Sequence, residues 1–152
     1  LDRYALLEKG LHITEYTPTS AGDKITGSHR GGVWDEAAQA DYAVKFYRVC
    51  FAQPAMRAIT WWDLSDCGSW LKGGGMLRED MSPKPVYNEL KKLIHEEWKT
   101  SLSGASDRDG RFAFRGFHGG YHVVVESAGR TVEKDFWLVK GEANDIVVSL
   151  PK

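Results

Sequence analysis

The chain has little that would tie it to a charged or membrane partner. Its formal net charge is −1 and charged residues make up 27% of the sequence, so there is neither a basic footprint for nucleic acid nor an acidic tail. No apolar run reaches the length needed to cross a bilayer. No secretory leader is visible at the N-terminus, although a segment that opens within a helix would not display one.

Cysteine is scarce. Cys50 falls on the apolar stripe Ala43, Phe46, Tyr47, Cys50, and Cys67 falls in a loop, so a disulfide framework is not indicated. His12, His29, His95, His118 and His122 show no metal-ligand spacing with the cysteines. No metal and no cofactor is therefore expected. The glycines of Lys72-Gly73-Gly74-Gly75 lack the G-x-x-x-x-G-K-[ST] pattern of a phosphate loop and read as a flexible turn.

Against these absences stands Leu11-His12-Ile13-Thr14-Glu15-Tyr16, a short apolar strand that carries a carboxylate near its C-terminal end. An α/β barrel places its catalytic residues at that end of its strands, which makes Glu15 the first candidate for chemistry. Taken alone, such a Glu is more often a solvated strand terminus. A second strand, Ile59-Thr60-Trp61-Trp62-Asp63-Leu64, also ends in aromatic and polar residues. Between the two strands, Asp35 is suited to cap a helix that runs from about residue 35 to Gln53 and stops before Pro54. The loop from Tyr16 to Asp35 is rich in Gly, Ser and Thr and reads equally as a ligand-binding or a merely mobile loop, with Trp34 and His29 the residues available to touch a ligand. Ser82-Pro83-Lys84-Pro85 opens a last helix with Val86, Leu90, Leu93 and Ile94 on its apolar side and Asn88-Glu89 on its surface.

The ITE strand, the ITWWDLSDxxSWL segment and MSPKPVYNEL together resemble the last part of the family-10 glycoside hydrolases, best known as endo-β-1,4-xylanases, over residues 1–97. The resemblance implies that Glu15 is the catalytic nucleophile and that Trp62 and Trp70 line the sugar subsites beside the scissile bond. Two positions depart from the family. Thr17 stands where the family usually has the Asp of ITELD, and Asp63 stands where a Gly usually follows the subsite Trp. In the family the acid/base Glu lies in an Asn-Glu pair at the end of the fourth strand. The only such pair here is Asn88-Glu89, which sits in the last helix.

A complete eight-stranded barrel takes roughly 250 residues. The expectation for residues 1–97 is accordingly a partial (β/α)8 TIM barrel, from the family's sixth helix through its eighth. Such a piece would be inactive alone and would need the missing N-terminal part of the barrel or self-association to cover its exposed strands. The expected partner is xylan or a related polysaccharide, with no nucleic acid and no membrane. Secreted or periplasmic localisation is implied by the family resemblance only.

From Leu102 the pattern changes to short alternating runs. Phe112 and Phe114, then Tyr121, Val123 and Val125, then Phe136 and Leu138, then Ile146, Val148 and Leu150 each recur at period two. Turns are expected at Asp107-Gly110, His118-Gly120, Ala128-Gly129 and Lys140-Gly141. Residues 98–152 thus read as a C-terminal antiparallel β-sandwich-like domain, similar to the transthyretin-like modules that follow polysaccharide-degrading catalytic domains. Trp137 and Tyr121 are the aromatics out of line with its buried faces. A buttressing role is favoured for this module over carbohydrate binding, and a non-catalytic fragment remains the alternative for the whole chain. Asp107 and Asp109 lack the full EF-hand pattern and read as a turn.

Overall fold

The computed structural model describes residues 1–27 and 31–150. His29 lies outside the described residues. The chain divides into two compact units, Leu1–Glu97 and Trp98–Lys152. The first is α/β and the second is β. No helix among the described residues is long and apolar enough to cross a membrane.

The first unit runs α1 (Asp2–Ala5), β1 (Leu11–Tyr16), α2 (Glu36–Ala52), β2 (Met56–Trp61) and α3 (Pro85–Lys92), which continues as one π-helical stretch, Leu93–Glu97. α1 is a single turn, followed by the left-handed residue Glu8, at φ 55°. α2 begins as expected: the Asp35 carboxylate accepts the Ala38 backbone N–H at 2.7 Å and satisfies one of the orphan donors of the first turn. Its buried side includes Ala38, Gln39, Ala40, Ala43, Tyr47 and Cys50. Both cysteines are free, Cys50 buried and Cys67 exposed. Ile94 is 43% exposed, outside the apolar stripe expected for it. The helix widens to the π form one residue earlier, at Leu93, which changes the angular phase of the side chains beyond it.

β1 and β2 pair in parallel, the arrangement open to two strands joined by a helical crossover such as α2. Among the described residues this sheet has two strands and closes no barrel. β2 starts three residues before the expected Ile59 and its ladder ends at Trp61, because the chain beyond Trp62 turns inward to bury Asp63.

The second unit contains one antiparallel hairpin, β3 (Gly119–Ser127) and β4 (Arg130–Leu138). Its turn is Ala128-Gly129, with φ of 50° and 76°. Two successive positive-φ residues are what a tight two-residue hairpin turn needs. The flanking segments around Phe112–Phe114 and Ile146–Leu150 form no strands, so the described β structure is a single two-stranded sheet rather than the expected sandwich.

Candidate active site

The register of the parallel pair slips near Glu15. Ile13 pairs with Ile59 but Tyr16 pairs with Trp61, so β1 has Thr14 and Glu15 where β2 has Thr60 alone. The result is a β-bulge, a device that re-aims side chains beside active sites. Thr14 and Glu15 are both exposed, whereas Tyr16 is buried. The Tyr16 ring stacks on Phe46 at 4.3 Å between centroids and meets Tyr47 and Trp61 edge-on, so it faces α2. Burial pushes its phenol pKa far above the ordinary tyrosine value, with Tyr42, Tyr47 and Cys50 adding to the effect. The Glu15 carboxylate is left on the opposite, open side of the sheet.

Trp61 and Trp62 divide in the same way. The Trp61 indole is turned toward Tyr16 and donates to the Gly74 carbonyl at 2.9 Å. Trp62 follows the strand end, its backbone N–H donating to the Tyr16 carbonyl at 3.0 Å, and its side chain is 51% exposed. Trp70 is 78% exposed, and its backbone N–H donates to Asp63 Oδ1 at 3.0 Å. The other Asp63 oxygen, Oδ2, accepts from Thr17 Oγ1 at 2.9 Å. One buried carboxylate therefore ties the end of β1 to the loop that carries Trp70. Glu15 and Trp62 lie at the adjacent C-terminal ends of two parallel strands, and Trp70 lies on the loop that follows the second.

Beneath these residues lies a polar cluster that no sequence pattern signals. Lys84 is 1% exposed. Its ammonium bonds both carboxylate oxygens of Asp66, at 2.8 and 2.7 Å, together with Ser20 Oγ at 3.0 Å and the Gly73 carbonyl at 3.1 Å. The Gly73 carbonyl also accepts from Gln39 Nε2 at 2.9 Å and from the Ser20 N–H at 3.0 Å. A buried ammonium tolerates desolvation only when paired and hydrogen-bonded in this manner. The charge thus clamps the loops after β1 and β2 to the start of α3.

The glycine run is part of this clamp and not the flexible turn that its composition suggests. A Cβ on Gly75 would lie 2.3 Å from the Ser65 carbonyl carbon and 2.5 Å from the Asp66 nitrogen; one on Gly74 would lie 2.5 Å from Thr17 Oγ1 and 2.9 Å from Asp63 Oδ2. Glycine is required there by close backbone approach.

The remaining expected contacts fall elsewhere. Trp34 packs edge-on to Tyr42 at 5.3 Å and, through its backbone, closes the neck of the loop against Gly22 and Asp23. Asn88 and Glu89 lie on α3, as the sequence suggests. Among the described residues no group of three or more His, Cys, Asp or Glu is arranged to hold a metal ion. Asp107 spends one carboxylate oxygen on the N–H groups of Asp109 and Arg111, at 3.0 and 2.8 Å, which makes it a turn residue.

The sequence profile of glycosyl hydrolase family 10 matches residues 1–93. The chain belongs to that family. Among curated proteins this family member is similar to the anti-sigma-I factor RsgI6 of Acetivibrio thermocellus, 28% identical over 131 residues that cover 86% of this chain and 15% of the relative. It is also similar to endo-1,4-beta-xylanase B of Thermotoga neapolitana, 32% identical over 106 residues covering 65% of this chain and 29% of the relative. The chain therefore spans 15% and 29% of the lengths of these relatives. A solved structure similar to it is xylanase 10B from Thermotoga petrophila RKU-1 in complex with xylobiose, at 27% identity and a TM-score of 0.49, covering 63% of this chain and 30% of that one.

Proposed function

We propose that residues 1–97 form the last part of the (β/α)8 barrel of a retaining glycoside hydrolase that cleaves β-1,4-xylan-type chains. Family membership supports the reaction class. The observation that carries the residue assignment is Glu15, exposed on a bulge at the C-terminal end of a parallel strand beside the exposed Trp62 and Trp70.

In this reading a Glu15 carboxylate oxygen attacks the anomeric carbon and the glycosidic C–O bond breaks. The leaving oxygen takes a proton from a second carboxylic acid about 5 Å away. Water then attacks the same carbon, giving up its proton to that second carboxylate, and the sugar–Glu15 ester bond breaks. Trp62 and Trp70 offer ring faces to the sugars on either side of the cleaved bond. Asp63 is a positioning residue: it stands in for the carboxylate that the family carries at the Thr17 position and holds the Trp70 loop against the end of β1. The acid/base carboxylate is proposed to come from outside residues 1–152, either from the rest of the barrel or from an assembled partner. The site of action is proposed to be outside the cell or in the periplasm, where the polymer is met. Residues 98–152 are proposed to be a small β module that follows the barrel in the chain.

A second reading, a non-catalytic module that recognises polysaccharide within a regulatory protein, is favoured by one observation. The match to the anti-sigma-I factor takes in 131 residues, against 106 for the xylanase. Xylan hydrolysis by the barrel-completed protein separates the two. Turnover that is lost in Glu15→Ala, with the fold kept in Glu15→Gln, supports the hydrolase. Binding of xylan with no turnover in the unaltered, barrel-completed protein supports the module.

A further inference from the structure

The hairpin of the second unit has two unlike faces. On one, Tyr121 pairs with Phe136, Val123 with Lys134 and Val125 with Val132. That face is covered by its own chain. Tyr121 stacks on Phe136 at 5.5 Å and contacts Phe114 at 5.6 Å, its hydroxyl donates to the Phe117 carbonyl at 2.7 Å, and Lys134 Nζ donates to the Val147 carbonyl at 2.7 Å. Tyr121 is thereby a packing residue rather than one free to meet a ligand.

The other face carries Gly120 opposite Trp137, His122 opposite Asp135 and Val124 opposite Glu133. Period-two alternation would put a polar residue at position 137, yet Trp137 is there and is 72% exposed. Its ring lies over Gly120: a Cβ at position 120 would sit 3.6–3.7 Å from ring atoms Cζ2, Cε2 and Cη2. One side of the indole is thus seated on bare backbone and the other faces outward. On the neighbouring rungs, His122 Nδ1 is 2.7 Å from Asp135 Oδ1 and Nε2 is 3.5 Å from Glu133 Oε2. The imidazole holds the Asp135 carboxylate in place on the rung next to the indole.

We propose that this face is a binding platform for a neutral β-linked pyranose chain. An indole face carries negative charge density and attracts the weakly positive C–H groups on the flat side of a pyranose ring. Asp135, on the next rung, and Glu133, one rung further along the same face, accept hydrogen bonds from the hydroxyls of successive sugars. The same two carboxylates repel a polyanionic glycan, which is why a neutral chain is the fitting occupant. That the chain is β-1,4-xylan rests on the function proposed for residues 1–97; the platform itself does not.

The test is an NMR titration of the whole chain with xylohexaose, cellohexaose and hexagalacturonate, following the indole N–H signal assigned to Trp137 by its absence in Trp137→Phe. Xylohexaose should move that signal, Trp137→Ala should weaken the affinity by about tenfold, and hexagalacturonate should leave the signal where it is. A signal moved by cellohexaose alone would keep the platform and overturn xylan as its occupant. An unmoved signal with every glycan would overturn the platform. Because the titration uses the unaltered chain, a folding defect in Trp137→Ala does not remove the test.

Discussion

Thr17 Oγ1 donates to Asp63 Oδ2 at 2.9 Å, a bond between residues 46 positions apart in the chain. These are the two positions at which the sequence leaves the family pattern. A carboxylate missing from the end of one strand is supplied from the end of the next, and the hydroxyl that replaced it is its donor. The bond joins two positions at which the motifs of this chain differ from the family's.

The prediction for this pair is coupling. Asp63→Ala leaves the Trp70 N–H without its acceptor and the Thr17 hydroxyl with only its longer bond to the Gly74 carbonyl, at 3.3 Å, in a half-buried site, at a cost of about 1–3 kcal/mol in urea unfolding. The exchange Thr17→Asp with Asp63→Gly, which restores the family pattern, should cost less than Asp63→Gly alone. Additive losses would show that the two positions are independent.

Trp70 should matter for binding and little for folding, since its side chain is 78% exposed. In the barrel-completed protein, Trp70→Ala is expected to weaken xylo-oligosaccharide affinity by about 1–3 kcal/mol, taking full aromatic burial by the sugar as the upper guide. Calorimetric titration gives the number. Unchanged affinity would remove Trp70 from the site.

Gly75 and Gly31 should respond in opposite ways to alanine. The added methyl at Gly75 meets backbone atoms of Ser65 and Asp66, whereas at Gly31 nothing among the described residues lies within 4 Å. Overpacking against backbone costs roughly 1–3 kcal/mol or more, so Gly75→Ala should lower Tm clearly and Gly31→Ala should be near neutral. Equal effects would contradict the packed description of the glycine run.

Tyr16 is buried with no hydrogen-bond partner for its hydroxyl among the described residues. Tyr16→Phe should be neutral or stabilising by about 1 kcal/mol, because an unsatisfied polar group leaves the interior. Burial raises the folded-state pKa of this phenol above the ordinary tyrosine value of about 10. The stability it contributes is hence intact below about pH 10 and is lost as the pH climbs above it, where the unfolded chain ionises. Urea unfolding between about pH 9 and 11, on either side of that ordinary value, should show a smaller loss in Tyr16→Phe than in the unaltered chain.

Much of the frame is legible from local chemistry. Asp35 can be read as a cap, Ala128-Gly129 as a turn, Cys50 as a core residue and the segment around Glu15 as a strand, because each depends on near neighbours in sequence. The bulge at Thr14 and Glu15 is not legible, since strand register is set by a partner that α2 separates from it. Nor is the burial of Lys84, which reads only as part of the segment that opens the last helix until Asp66, Ser20 and the Gly73 carbonyl are brought around it. The runs at Phe112–Phe114 and Ile146–Leu150 alternate like strands but form no ladder, and alternation alone does not supply a partner edge.

The central claim is that Glu15 forms the covalent bond to sugar. A 2-deoxy-2-fluoro xylobioside with a good leaving group slows release of the glycosyl-enzyme, so the barrel-completed protein incubated with it can be digested and sequenced by mass spectrometry. The account predicts one fluorosugar on the peptide containing Ile13-Thr14-Glu15 and none in Glu15→Gln. A fluorosugar on any other carboxylate, or full xylan turnover by Glu15→Ala, would contradict it.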